Sequence, residues 1–277
     1  MSRAQTLYIE GDSIFHRLSG VSKILLFLTW TIITVMFLDI RVFLAMALIS
    51  AVMLYFSKIP SKTLKPLLWI MVVFNIINVI FILLITPQYG SELVGTNTEL
   101  INIGYSYINK ETLFYVLTIS LKYAVLMPIT AIFIFTTHPS EFASSLNKIG
   151  IPYKIAYAVN IAFRYIPDVQ REYRDILDAQ QARGLAFHKG EGSIGEILKN
   201  YTTIFVPLVS SSIKRIETVS NAMELRSFGK KKKRTWYSYK ELKCMDFAFI
   251  ITCILVLVLA VYLKNNLITG FYYPFLK

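Results

Sequence analysis

The chain has 277 residues, 55% of them hydrophobic and 17% charged, with 29 Lys and Arg against 17 Asp and Glu for a net charge of +12. Soluble domains carry about a quarter charged residues. This deficit, with a mean hydropathy of +0.53, excludes an ordinary soluble domain and points to a membrane protein with basic loops rather than a nucleic-acid binder.

The polar first stretch, residues 1–23, does not read as a cleavable signal peptide, because no apolar run begins before residue 24. A membrane-crossing helix needs about 20 mostly apolar residues. Five stretches meet or approach that length: 24–38, 42–56, 67–86, 112–137 and 247–263. A tight turn at Asp39-Ile40-Arg41 separates the first two, and Pro87 ends the third. With the N-terminus placed inside, Arg3, Arg17, Lys23, Lys58, Lys62 and Lys65 fall on the inner side together with all of residues 138–245. Only Arg41, Lys110, Lys264 and Lys277 fall outside. The positive-inside rule therefore predicts a cytoplasmic N-terminus, and five spans then place the C-terminus outside.

Residues 138–245 carry 18 Lys or Arg against 10 Asp or Glu. They nonetheless show helical periodicity. Val169, Tyr173, Ile176 and Leu177 share one face, opposed by Arg171, Glu172, Arg174, Asp175 and Asp178. Val209, Ile213, Ile216, Val219 and Met223 form a second stripe. Pro167 and Pro207 suit first-turn positions, and Gly184 and Gly229 suit left-handed caps. The apolar run 201–209 fits either the bilayer or the underside of the spans. The expected fold is an all-α polytopic membrane protein with about five spans and long amphipathic cytoplasmic helices. Its parts are a cytoplasmic segment 1–23, spans 24–137, a cytoplasmic helical domain 138–245, and a last span with outer tail 246–277.

Few residues suggest chemistry. Cys244 and Cys253 form neither a disulfide framework nor a metal-ligand spacing. GEGSIG, residues 190–195, spells a dinucleotide fingerprint but follows no strand. No P-loop, HEXXH or G-x-S-x-G occurs, and His16, His138 and His188 are scattered. Lys122 lies within the fourth span, and Asn75 and Asn78 within the third. They offer a polar path for a self-contained carrier or channel, or else a snorkelling lysine and two helix-bridging amides. The basic run 230–234 suits anionic lipid at the membrane surface; no aromatic platform accompanies it, as nucleic acid would require.

One motif occurs twice. AQQARG places Ala182, Arg183 and Gly184 after one amphipathic stripe; AMELRS places Ala222, Leu225, Arg226 and Ser227 after the other, 43 residues on. At a helix end an arginine is favoured by the helix dipole, and its planar fork can grip a partner's carboxylate. Two such ends suit a dimeric or pseudo-symmetric partner.

YIEGDSIFHRL (8–18), FRYIPDV (163–169) and the two arginine motifs together resemble the CbiQ-like family, the transmembrane T components of energy-coupling-factor (ECF) transporters. The first motif is intact as Ala182-Arg183-Gly184. The second keeps only the arginine, which predicts a looser backbone approach there. The resemblance implies a non-catalytic subunit joining two ABC-type ATPases to a small membrane-embedded S component for uptake of a vitamin or metal ion. Arg183 and Arg226 would dock on the ATPases. This chain would bind no cofactor, ATP and Mg belonging to those partners.

Overall fold

The computed structural model describes residues 7–96, 98–102, 107–187, 193–230, 235–237, 240–268 and 270–274. Arg3, His188, most of the basic run 230–234 and residues 190–192 of GEGSIG lie outside the described residues. Two compact units emerge, one of residues 7–145 with 240–274, the other of residues 146–237.

The first unit opens with the short helix α1 (Ile14–Arg17) and continues through α2 (Gly20–Met36), α3 (Ile40–Ser57), α4 (Ser61–Ile85) and α5 (Tyr89–Val94). Strands β1 (Glu99–Asn102) and β2 (Tyr107–Asn109) then lead into α6 (Lys110–Thr136) and α7 (Pro139–Lys148), the last turn of which passes into the second unit. Helices α3, α4, α6 and α10 (Cys244–Asn266) are each long and apolar enough to cross a membrane. The remaining predicted span corresponds to α2, whose 17 residues rise about 25 Å, the short end of what a bilayer requires.

Local chemistry sets several boundaries. Asp39 is the N-cap of α3, its Oδ1 accepting from the Arg41 amide at 2.8 Å. The expected Asp39-Ile40-Arg41 turn is thus already the first turn of a helix, because the carboxylate satisfies an amide that a helix start leaves unpaired. The core lies where α2, α3, α6 and α10 meet, around Trp30, Phe37, Phe43, Val125, Ile129 and Ile132. The Trp30 indole donates to the Val125 carbonyl at 3.3 Å. α4 contributes no buried residue, so most of its apolar surface faces outward from the chain.

An all-helical chain was expected. The link between α5 and α6 departs from it, since β1 and β2 pair as an antiparallel hairpin. A polar link too short for another span still has backbone groups to satisfy, and a hairpin pairs them locally. The Glu111 carboxylate at the start of α6 accepts from the Thr98 hydroxyl (2.7 Å) and the Thr96 hydroxyl (3.2 Å), tying the link to the helix.

The second unit is built on α8 (Tyr153–Ala182) and α9 (Ile194–Leu225). At 30 and 32 residues they rise about 45 and 48 Å. Both start far upstream of Pro167 and Pro207, which therefore lie inside the helices rather than in their first turns. Each proline costs one helical hydrogen bond, yet both helices run on through it. Pro152 precedes α8, and Ser193 starts α9 with its amide donating to Glu196 Oε2 at 3.0 Å. The undecided run 201–209 is an interior stretch of α9, with Ile204 buried and Phe205 and Val206 exposed.

Candidate partner-docking site

Both arginine motifs fold into the same local structure. Arg183 is the C-cap of α8 (φ −81°, ψ 0°) and Arg226 the C-cap of α9 (φ −82°, ψ 10°). The next residue in each case is left-handed: Gly184 at φ 85° and Ser227 at φ 56°. The amides repeat the pattern. Gly184 donates to Gln181 and Leu185 to Gln180; Ser227 donates to Glu224 and Phe228 to Met223. Both ends are Schellman motifs, with bonds spanning three and five residues back.

This geometry corrects the sequence reading of the second end. Gly229 was expected to be the cap, but Ser227 occupies the left-handed position, and Gly229 follows with its own positive φ of 89°. The backbone at the second motif matches the first despite its spelling. The difference is confined to side chains: a hydroxymethyl group at 227, and Leu225, 88% exposed, where the first motif has Ala182. A side chain in the left-handed region costs about 1 kcal/mol relative to glycine. Ser227→Gly is therefore expected to stabilise the second unit by about that amount, and Gly184→Ala to destabilise it similarly; proteolysis protection of each variant measures both.

The aromatic that follows each motif is an anchor. Phe187 is buried and meets Tyr201 of α9 edge-on at 5.5 Å, while Asn200 Nδ2 donates to the Ala186 carbonyl at 2.8 Å. Phe228 packs on Tyr157 of α8 at 4.7 Å. Trp236 extends that cluster, 5.2 Å from Tyr153, its indole donating to Asn147 Oδ1 at 3.2 Å. Each helix end is thus pinned to the other helix just beyond its arginine. Ala182, Arg183 and Gly184 are exposed, as are Ala222, Leu225 and Arg226, with Ser227 half-buried. Two rigid, outward-facing cationic ends can grip carboxylates.

The intramembrane candidates are not assembled into one visible path. The Ser120 hydroxyl of α6 donates to Asn75 Oδ1 of α4 at 3.2 Å, as expected of a helix-bridging amide. Asn78 Oδ1 is buried without a hydrogen-bond partner among the described residues. Lys122 is half-buried on α6.

A second polar cluster was not singled out from sequence. Lys23 was counted as an inner-loop charge, yet it is buried, with Nζ donating to the Thr136 carbonyl at 2.7 Å and lying 3.8 Å from Glu141. Lys240 donates to the His16 carbonyl at 2.7 Å and lies 4.0 Å from the same Glu141 oxygen. Asp246 accepts from the Ser19 amide (2.7 Å), the Ser22 hydroxyl (2.8 Å) and the Lys243 amide (2.9 Å). Gly20 is required here, because a Cβ would lie 2.4 Å from Ser145 Oγ and 3.1 Å from Glu141. The only sequence signal was position: these charges stand at the ends of apolar runs, where loop and buried charges read alike.

The 8–18 segment folds onto this cluster. A carbonyl can only accept, so His16 Nε2–H donates to the Ile9 carbonyl at 2.9 Å, leaving Nδ1 to accept from Ser13 Oγ at 2.7 Å. Burial is the main cause lowering the His16 pKa below its ordinary value of 6.5. A depressed histidine stabilises the fold above 6.5, and that stability drains as pH falls toward the folded-state value. Acidification below 6.5 is expected to loosen this segment. Hydrogen exchange at the amides of residues 9–18 should rise with acid in the native chain, and His16→Gln should flatten that dependence.

A mainly helical unit with four helices long and apolar enough to cross a membrane, in a chain that also carries a long helical hairpin with two matching arginine caps, suits a polytopic transport subunit. The sequence matches the CbiQ family, described as cobalt transport protein, over residues 11–237, and the chain belongs to that family. It is 29% identical over 94% of its length to the energy-coupling factor transporter transmembrane protein EcfT of Exiguobacterium sibiricum, covering 98% of that relative. It is 27% identical to the EcfT of Bacillus subtilis over 93% of this chain and 96% of that one. It is 30% identical to that of Brevibacillus brevis over 80% and 83%.

Proposed function

We propose that the chain is the scaffold and coupling subunit of an ECF-type importer in a prokaryotic plasma membrane. It joins two cytoplasmic ABC-type ATPases to a substrate-binding S component that takes up a vitamin or metal ion. The observation that carries this reading is the duplicated Schellman end, each presenting an exposed arginine from a long rigid helix. Two equivalent cationic caps fit two equivalent acidic grooves, and force applied at either cap passes along α8 or α9. The chain itself is non-catalytic; ATP and Mg act on the ATPases. On this reading the N-terminus is cytoplasmic, the C-terminus is outside, and residues 138–245 face the cytoplasm, with the basic run beside anionic lipid. The names of the relatives support the assignment to an energy-coupling factor transporter.

The test is to tag this chain and co-express it with candidate ABC-type ATPases and small membrane-embedded S components from the same genome. Recovery of two ATPase chains and one S component per tagged subunit, with substrate uptake that requires ATP, is the expected result. Uptake by the purified chain alone in liposomes would instead establish the carrier reading.

A further inference from the structure

Resting on the coupling reading above, we infer that the Glu172–Arg215 ion pair is the pivot that sets the spacing and mutual orientation of the two arginine caps. Arg215 of α9 reaches Glu172 of α8 with a direct salt bridge, both side chains being half-buried. Residue 172 precedes Arg183 by 11 positions, and residue 215 precedes Arg226 by 11. The two partners are therefore the same position in the two copies of the motif.

The helices run antiparallel. Tyr157, early in α8, meets Phe228 beyond the end of α9, while Glu172, later in α8, meets Arg215, earlier in α9. In an antiparallel pair, equivalent positions touch only at the local two-fold axis. That axis passes through Glu172 and Arg215. Two apolar neighbours match in the same way, Tyr173 with Ile216 and Ile176 with Val219, while Val169 and Leu177 fall on Ser212 and Ser220. From the axis each cap lies 11 residues along its helix, about 16.5 Å of rise, which places the caps up to about 33 Å apart on opposite sides.

Equal arms matter because a two-fold pair of grooves receives both caps only when they are equidistant from the axis. A slide of one helical turn would lengthen one arm and shorten the other by about 5.4 Å. Apolar stripes alone tolerate such slides, since Ile, Val and Met substitute for one another. A charge pair does not, because a slide leaves a half-buried guanidinium and carboxylate unmatched. Arg215 is held further by the Tyr165 ring, 5.5 Å from its guanidinium carbon. Glu172 and Arg215 are thus positioning residues, acting on a partner they do not touch.

The experiment places spin labels at Ala182→Cys and Leu225→Cys, with Cys244 and Cys253 changed to Ser, and measures their separation in the intact chain in detergent. One narrow distance is expected for the otherwise native chain. Glu172→Arg and Arg215→Glu should each replace it with a broad distribution, and the charge-swapped double variant E172R/R215E should restore a narrow one. Far-UV circular dichroism identifies any variant that has simply unfolded; for such a variant Glu172→Gln supplies the comparison, with broadening again expected. Narrow distances in the folded single variants, or no recovery in the swap, would overturn the pivot. Failure of ATPase capture with the distance pattern intact would instead count against the docking reading and leave the pivot standing.

Discussion

Replacing both cap arginines, Arg183→Glu and Arg226→Glu, is expected to abolish recovery of the ATPases with this chain while membrane insertion survives. The reasoning starts from the backbone. Both side chains leave from C-cap positions whose own amides donate back into the helix, Arg183 to the Gln180 carbonyl and Arg226 to the Ala222 carbonyl, and the Schellman bonds beside them are all between backbone groups, so the charge reversal does not unfold the helix end. It costs the favourable cation–dipole contact, about 0.3–1 kcal/mol per end, which a 30-residue helix absorbs. At a partner's acidic groove the effect is far larger. A charge-assisted bidentate pair becomes a like-charge contact, and truncating or reversing one member of a buried pair costs about 2–5 kcal/mol. Two such losses act on one complex, so the fall in affinity exceeds what either single variant produces. Affinity purification with quantitation of both ATPases, beside a membrane-fraction control, measures it. Normal ATPase yield from the double variant would refute docking through these residues.

The second large effect is expected in the first unit. Asp246→Ala should destabilise the chain by about 3 kcal/mol or more, because it strands three donors at once: the Ser19 amide, the Ser22 hydroxyl and the Lys243 amide. Asp246 caps its own helix α10 through Lys243 and holds the start of α2 through Ser19 and Ser22. Its loss therefore frays two helix starts that are otherwise packed together. Asp246→Asn keeps one acceptor oxygen and should cost less, although its amide nitrogen cannot accept from a backbone N–H. Thermal unfolding in detergent orders the three proteins: native above Asn above Ala. Equal stability of Ala and native chains would show that these contacts contribute nothing.

The parts of this architecture that were legible in sequence are those written as period and length. Apolar runs located α3, α6 and α10 within three residues at each end and the end of α4 within one, since a bilayer allows few alternatives to a long apolar helix; the start of α4 lies six residues earlier than its apolar run. The arginine motifs were found by their repetition. The starts of α8 and α9 were misread because Pro167 and Pro207 look like first-turn residues, whereas both helices begin well before them and run through. The second cap was misassigned because Gly229 is the better left-handed residue by intrinsic preference, whereas the Schellman bonds of α9 end one step after Arg226 and force Ser227 into that conformation. The Lys23–Glu141–Asp246 cluster stayed hidden for a different reason. Its members lie more than a hundred residues apart, and nothing in a single charge at the end of an apolar run reveals whether its counter-ion is water or another helix.

On the proposed coupling role, both helix ends carry the same kind of partner. Photo-cross-linking residues placed one at a time at Ala182 and Leu225, next to each arginine, test it within the assembled complex. Both positions are expected to cross-link to ATPase chains, each adduct mapping to a peptide that bears an acidic residue. Cross-links from either position to lipid or to the S component, with none to an ATPase, would contradict it.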